Sequence, residues 1–449
     1  MPDMRKNETL ALLQDLLKKA RAFGATSADV VLSDSSSVAV NFRLGRPESI
    51  HRSEEADIGL RVFVGKRGAI VSSSDRTPET LAQMAERAVA MARSVPEDAH
   101  AGVADPSDLA TIFPDLDLYD PTEPSVEEMN SYADRAEQAA RTVKGITNSD
   151  GAEFGYGKDI LYYAASNGFA GSYASSGFSL SAAVIAGEGA DMQEDYDFDS
   201  SAFFSDLEAP EKIGRRAGER AVRALHPRKG ATGRVPVIFD SRVSGGLLGS
   251  LAGAISGVAV AGGTTFLKDR MGQQVFAPGI TIIDDPFLKR GIRSHPFDGE
   301  GLSPQKRAII DKGVLAGWLL DLSSARQLGL KSTGNAARGA GSPPSPKPSN
   351  FYMQPGHVTL DELVKGIDEG FYVTQMMGSG GNVVTGDYSR GARGFWIERG
   401  QIACPVSEMT IAGNLKDMWQ NCLPANDLAL KLGIDAPSLR IDGMMVAGA

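Results

Sequence analysis

Val235-Pro-Val-Ile-Phe-Asp240 is a short apolar run, and past Ser241-Arg-Val it opens into 25 uncharged residues, Val243 to Leu267. Gly249, Gly253 and Gly257 recur there every four residues, so a helix would carry them along one side. Leu247, Leu248, Leu251, Ile255 and Val258 fall at the offsets of an apolar stripe on another side. The stretch therefore reads as a strand feeding a buried helix, with a glycine edge that lets another backbone come close. In an enzyme, such a helix N-terminus would suit metal ligands or an anion. After Asp240, however, the run offers no His, Cys, Asp or Glu. A membrane span is the competing reading at this length. Seven glycines and the hydroxyls of Ser244, Ser250, Ser256, Thr264 and Thr265 dilute its apolar character, and no second span exists.

The rest of the chain is ordinary for a globular protein of two or three domains: 449 residues, 42% hydrophobic and 23% charged. A net charge of −10 argues against a broad nucleic-acid footprint, so neither nucleic acid nor membrane is expected as a partner. Two cysteines 18 residues apart, Cys404 and Cys422, give no disulfide framework. With no apolar signal core in residues 1–8, the expected location is the cytoplasm.

Residues 8–23 have helical spacing and stop at Gly24, followed by strand-like segments at 28–32, 37–43, 57–64 and 68–73. Helices are expected from Thr77-Pro-Glu-Thr to about Ser94, and from the Ser125/Glu128 capping box to about Val143. Strands return at 160–166, 171–181 and 183–187, and a helix covers 207–225. The C-terminal part adds strands at 280–283, 307–311, 314–321, 371–376, 394–398 and 401–403, with hairpin glycines at Gly313 and Gly400. The expected fold is α+β: a mixed α/β domain over 1–229, then a domain over 230–449 dominated by twisted antiparallel sheet. Ser342–Pro348 is expected to be an extended loop.

No self-sufficient active site emerges from spacing. None of the five histidines is followed by Glu, and no two lie within a helical turn. Asp195, Asp197, Asp199 and Asp206 mimic a calcium loop, but Ser200 and Asp206 stand where Gly and Glu belong. The alternation with Tyr196 and Phe198 reads instead as a strand showing Asp to water. Ser303-Pro-Gln-Lys306 matches a Ser-x-x-Lys spacing without a helix around it, and Cys404 reads as a small buried hydrophobe. Gly378-Ser-Gly-Gly381 has no phosphate-loop Lys after it. Asn335, Arg338 and Arg393, between glycines, are candidates to hold a backbone or carboxylate, and the loop with His295, Asp298 and Glu300 is a further candidate site.

Seven stretches of the C-terminal half, in order and spacing, resemble the TldD/PmbA family, also called modulators of DNA gyrase, and within it the PmbA (TldE) branch. They are Pro236-Val-Ile-Phe with Gly245-Gly-Leu-Leu; Thr281-Ile-Ile-Asp-Asp-Pro286; Pro296-Phe-Asp-Gly-Glu-Gly301; Ser332-Thr-Gly-Asn335; Thr385-Gly-Asp387; Gly394-Phe-Trp-Ile-Glu-Arg-Gly400; and Arg440-Ile-Asp-Gly443. The resemblance implies a cytoplasmic zinc metallopeptidase of two homologous subunits acting on unfolded peptides. Its TldD-type subunit carries His-Glu-x-x-x-His and a Cys near the C-terminus. The matching positions here are Gly249, Ser250 and Ala254, and the tail has no Cys. The resemblance thus implies a chain with no cofactor of its own, partnered by a zinc-bearing TldD-like subunit or by itself as a homodimer. Asp298, Glu300, Asn335, Arg338 and Arg393 are the candidate peptide or partner contacts. The many C-terminal strands suggest that peptide adds to a sheet edge within 371–411.

Overall fold

The computed structural model describes residues 2–378 and 380–448. It begins with α1 (Pro2–Phe23), β1 (Ser27–Arg43), β2 (Arg46–Val64), β3 (Arg67–Ser73) and α2 (Pro78–Ser94). Then come α3 (Val126–Arg141), β4 (Ile146–Ala165), β5 (Ala170–Ala186), β6 (Gln193–Ser201) and α4 (Pro210–Arg223). The six strands make one sheet in the order β3-β2-β1-β4-β5-β6, each neighbour antiparallel. Segments that read as separate strands in the sequence are halves of single long ones. Ser33–Ser37 and Lys158–Asp159 are polar because neither helix pair covers the middle of the sheet, and the backbone ladder runs through them. On one face, Val30, Leu32, Leu60 and Ala164 pack under α1 and α2. Further along the same strands, Val40, Phe154 and Leu180 pack under α3 and α4. Both expected caps form: Thr77 accepts from the Thr80 N–H, and Ser125 with Glu128 completes its reciprocal box.

β6 inverts an expectation. Its alternation is real, but Asp195, Asp197 and Asp199 are the buried face and Tyr196 is the exposed one. The cause is a set of cations waiting on that side: Arg216 and Arg220 of α4 grip Asp197, Arg242 holds Asp195 at 3.1 Å, and Lys431 holds Asp199 at 2.8 Å. These paired carboxylates are structural, and among the described residues no group of three His, Cys, Asp or Glu is placed to hold a metal ion.

The C-terminal half contains β7 (Gly233–Phe239), α5 (Ser241–Ala254), α6 (Gly257–Ala261), β8 (Ile282–Asp285), β9 (Arg307–Asp311), β10 (Val314–Leu315) and α7 (Leu322–Gln327). It continues with β11 (Ala336–Ala337), β12 (Ser345–Pro346), β13 (Asn350–Met353), α8 (Leu360–Lys365), β14 (Glu369–Met377), β15 (Asp387–Glu398) and β16 (Gln401–Asn414). Last come α9 (Leu415–Gln420), β17 (Cys422–Pro424), β18 (Ile434–Asp435) and β19 (Leu439–Gly448). The main sheet runs β16-β15-β14-β7-β19-β17, and β19 also pairs back onto β16 through Met445–Gly448 against Met409–Ala412. Five strands therefore close into a ring. Ring closure restricts the sheet edge expected within 371–411: β14 and β15 have a strand on both sides, and β19 covers β16 only at Met409–Ala412. Earlier in β16 a single bridge forms beside Val406, where the Arg228 N–H donates to the Pro405 carbonyl at 2.9 Å. A second sheet, β10-β9-β8-β13-β18, lies across α5 from the ring.

The hairpins fall where expected. Lys312 and Gly313 both take positive φ (50° and 93°), as do Arg399 and Gly400 (51° and 73°), the geometry of a two-residue turn that matches strand twist. Leu247, Leu248, Leu251 and Ile255 join Phe239, Phe371 and Phe351 in the largest apolar core.

Candidate functional site

The charge-free run is not one helix. α5 stops at Ala254, Ile255 and Ser256 break the ladder, and α6 restarts at Gly257. The backbone of Leu319 enters the gap: its N–H donates to the Ile255 carbonyl at 3.1 Å, and its carbonyl accepts from the Gly257 N–H at 2.7 Å. These bonds replace the helical ones and turn α6 aside. Val258, expected on the buried stripe, is consequently 61% exposed.

The glycine row also behaves differently from expectation. Another backbone comes close at Gly245, where a Cβ would lie 2.6 Å from the Ile434 carbonyl oxygen, whereas Gly257 makes room for a side chain, a Cβ there lying 2.2 Å from Ser324 Oγ. At Gly249 a Cβ would meet nothing within 4 Å, and at Gly253 only Val383 at 3.7 Å. Gly246, Gly249 and Gly253 thus form an open strip on the solvent side of α5. Ser250 Oγ donates to the Gly246 carbonyl at 3.3 Å, and the Ala254 methyl is wholly buried. Along one flank lies the segment joining β14 to β15. Gly381 comes close enough to Ser250 that a Cβ there would sit 3.2 Å from its Oγ. Ser379, within the glycine loop noted in the sequence, lies outside the described residues. At the N-terminus, Asp240 caps by accepting from the Arg242 N–H at 2.9 Å, and Tyr372 donates its hydroxyl to the same carboxylate. No donor set for a divalent cation is present: Gly249 and Ala254 have no ligating atom, and Ser250 is a single neutral hydroxyl. The positions do not fit zinc.

Beyond α6 the strip reaches a cavity of about 780 Å³ between the first sheet and the C-terminal half, lined by Arg61, Phe63, Ile70, Val258, Glu300 and Asp321 among others. Its floor is a buried ionic cluster. Arg61 donates to both oxygens of Asp29 (Nε–Oδ2 3.0 Å) and to Glu300 at 3.2 Å, Arg338 pairs with Asp29, and the Tyr163 hydroxyl reaches Asp29 at 3.3 Å. Against the cost of burial, Arg338 and Arg61 hold the Asp29 carboxyl below its ordinary range. Burial raises that of Glu300, whose other oxygen accepts from the Leu322 N–H at 2.8 Å.

The remaining candidates are spent inside the chain. Asp298 is 2% exposed and accepts N–H bonds from Glu300, Leu302 and Ala336, yet burial and the neighbouring Glu300 carboxylate push it up to about 7. Asn335 bridges Asp284 (2.7 Å) and Arg307 (2.6 Å), and Arg393 donates to the Glu194 carbonyl on β6. Only Glu300 of the five reaches the cavity wall. The His295 ring meets the Arg293 carbonyl at 3.0 Å and not the two acids beyond it. Cys422 is buried with its thiol pushed up to about 12, too high for a ready nucleophile. Cys404 sits half-buried in β16 opposite Trp396. What sequence reasoning missed was Asp29 and Arg61. Each sits in an apolar strand (Asp29 before Val30-Val-Leu, Arg61 between Leu60 and Val62), and a charge embedded in such a run is the signal that marks them.

Three family models cover the chain in order: the PmbA/TldA metallopeptidase domain 1 over 28–92, central domain over 119–225 and C-terminal domain over 232–448. Metalloprotease PmbA of Escherichia coli O157:H7 is 40% identical over 423 residues, spanning 94% of this chain and 92% of that one. A PmbA homologue from Haemophilus influenzae is 35% identical, spanning 98% and 96%. Among solved structures, a proposed modulator of DNA gyrase from Bacteroides thetaiotaomicron superposes with a TM-score of 0.90 at 29% identity, over 98% of this chain and 99% of that one. TldE from Thermococcus kodakarensis gives 0.86 at 21% identity, over 97% and 100%, a likeness of fold. Among the described residues no helix is long and apolar enough to cross a membrane.

Proposed function

The chain belongs to the PmbA/TldD family of metallopeptidases, and on that premise we propose that it is a non-catalytic subunit whose zinc and hydrolytic chemistry come from a TldD-like partner. The observation that carries this reading is α5 itself. Its cap, its buried stripe and its seat between two sheets are intact, while positions 249, 250 and 254 bear Gly, Ser and Ala. A helix kept in place without metal donors has a use as a surface. The open strip of Gly246, Gly249 and Gly253, ending at Val258, is the wall this chain contributes to an enclosed site, and unfolded peptide is the substrate class. The proposed setting is the cytoplasm, where the free thiols of Cys404 and Cys422 stay reduced.

The test is to measure zinc content and peptidase rate for this chain alone and after mixing with a TldD-like chain from the same genome. The reading expects no rate from the pure chain and a rate in the mixture above that of the partner alone. Hydrolysis by the pure chain, or no gain on mixing, overturns it. A second reading keeps the strip and drops the zinc chain: a peptide- or protein-binding homodimer without peptidase activity. What favours it is an unpaired strand edge on the first sheet.

A further inference from the structure

The cavity between the first sheet and the C-terminal half has two kinds of wall. Its sides are apolar: Phe63 of β2, Ile70 of β3, Val95 and Pro96 just past α2, and Val258 of α6. Arg61 on the floor and Ile70 on the side are directly paired across β2 and β3, so one strand register fixes both. The rim at 100–102 is tied to α7 by Arg326, which donates to the His100 and Gly102 carbonyls at 2.9 and 3.1 Å. At about 780 Å³ the space has the size of a small-molecule site, where apolar walls surround a few fixed polar groups.

The floor is where bonding capacity is left over. Glu300 stands between Arg61 and Asp321: one oxygen meets Arg61 at 3.2 Å, and the other accepts from the N–H of Leu322, the residue after Asp321. Asp321, 3% exposed, accepts at Oδ1 from the Ser324 N–H at 2.9 Å and from the Ser324 hydroxyl. Its Oδ2 has no partner among the described residues. Arg61, 8% exposed, spends Nε and Nη2 on Asp29 and Glu300, and its Nη1 likewise has no partner among the described residues. Polar atoms kept from bulk water are costly unless something enters to pair with them. The charges point the same way: Asp29, Glu300 and Asp321 meet only Arg61 and Arg338, so the linked cluster is one positive charge short. A matching ligand brings a cationic donor for Asp321 and Glu300, an acceptor for Arg61 Nη1, and an apolar group for the walls. An α-amino acid unit with a free ammonium carries all three on one Cα: the ammonium, a carbonyl or carboxylate, and the side chain. We propose that this cavity binds such a unit with an apolar side chain, supplied as a free amino acid or as the first residue of a peptide.

The test is isothermal titration calorimetry on the full chain, with L-leucine, the tripeptide Leu-Ala-Ala, and the N-acetylated form of each. Whichever free amine binds should lose roughly tenfold or more in affinity on acetylation, because the charge that meets Asp321 and Glu300 is gone. Binding of leucine but not of the tripeptide assigns the cavity to free amino acids; binding of the tripeptide assigns it to peptide amino termini. Asp321→Asn keeps an acceptor for the Ser324 N–H but not the negative charge, and should weaken binding about tenfold. Val258→Trp narrows the cavity from a mostly solvent-exposed position and should also weaken binding; it carries the test should Asp321→Asn fail to fold. No binding of either free amine at millimolar concentration, equal binding of the acetylated forms, or unchanged binding by the folded variants overturns the proposal. These measurements need neither zinc nor a second chain. Failure to bind therefore leaves the peptidase-subunit reading standing, and failure of the mixing assay with a zinc chain leaves this one standing.

Discussion

At the scale of single residues, the decisive facts are where an added atom would fit and where a proton would sit. Gly249→Ala places a methyl in open space on a helix, so unfolding in denaturant should show a gain of about 0.5–1 kcal/mol. Gly245→Ala drives the same methyl onto the Ile434 carbonyl and should lose roughly 1–3 kcal/mol. Asp298 provides the pH dependence. Its folded carboxyl titrates near 7, above the unfolded value, so the stability it allows is present at low pH and lost as pH rises through 7. Asp298→Asn lacks that titration and also loses the acceptor for the Ala336 N–H. The wild type should therefore be the more stable of the two at pH 6, with the gap in melting temperature narrowing by pH 8; a constant gap counts against the assignment. Asp29, held low by its arginines, has the opposite sign and loses its contribution only in acid.

Elements show what the sequence made legible and what it hid. Capping boxes and hairpin glycines are local: the Ser125/Glu128 pair and the Lys312-Gly313 turn need only their own neighbours, and both form as read. The break at Ile255–Ser256 was invisible because its cause, Leu319, lies more than 60 residues downstream. The inverted face of β6 was hidden for the same reason, since Arg242 and Lys431 arrive from other elements. The candidate site divides likewise. Gly249, Ser250 and Ala254 were legible as a helix without donors, whereas the burial of Asn335 and Arg338 depended on partners no local pattern names. Two substitutions from the same apolar stripe test the break directly. Leu251→Ala, fully buried, should cost about 2–5 kcal/mol, and Val258→Ala, mostly in solvent, within about 0.5 kcal/mol. Equal losses would mean that α5 and α6 form one continuous buried helix.

At the scale of the molecule, two halves whose largest cores are separate meet at a shared aromatic cluster around Phe297 and are clamped through Asp29, Arg61, Glu300 and Arg338. Arg338→Met leaves a buried Asp29 short of one cation, and removing one member of such a cluster costs about 3–5 kcal/mol. Denaturant titration should record that loss, and amide exchange should rise first around Gly59, whose carbonyl also faces Arg338. Ring closure carries a consequence for synthesis. β19 wedges between β7 and β16, so the ribosome makes its partners long before it, and until residues 439–448 emerge both flanks stand bare. A nascent chain halted before residue 439 presents two sticky seams to its neighbours, which makes the interval before those residues emerge the one when a chaperone matters most.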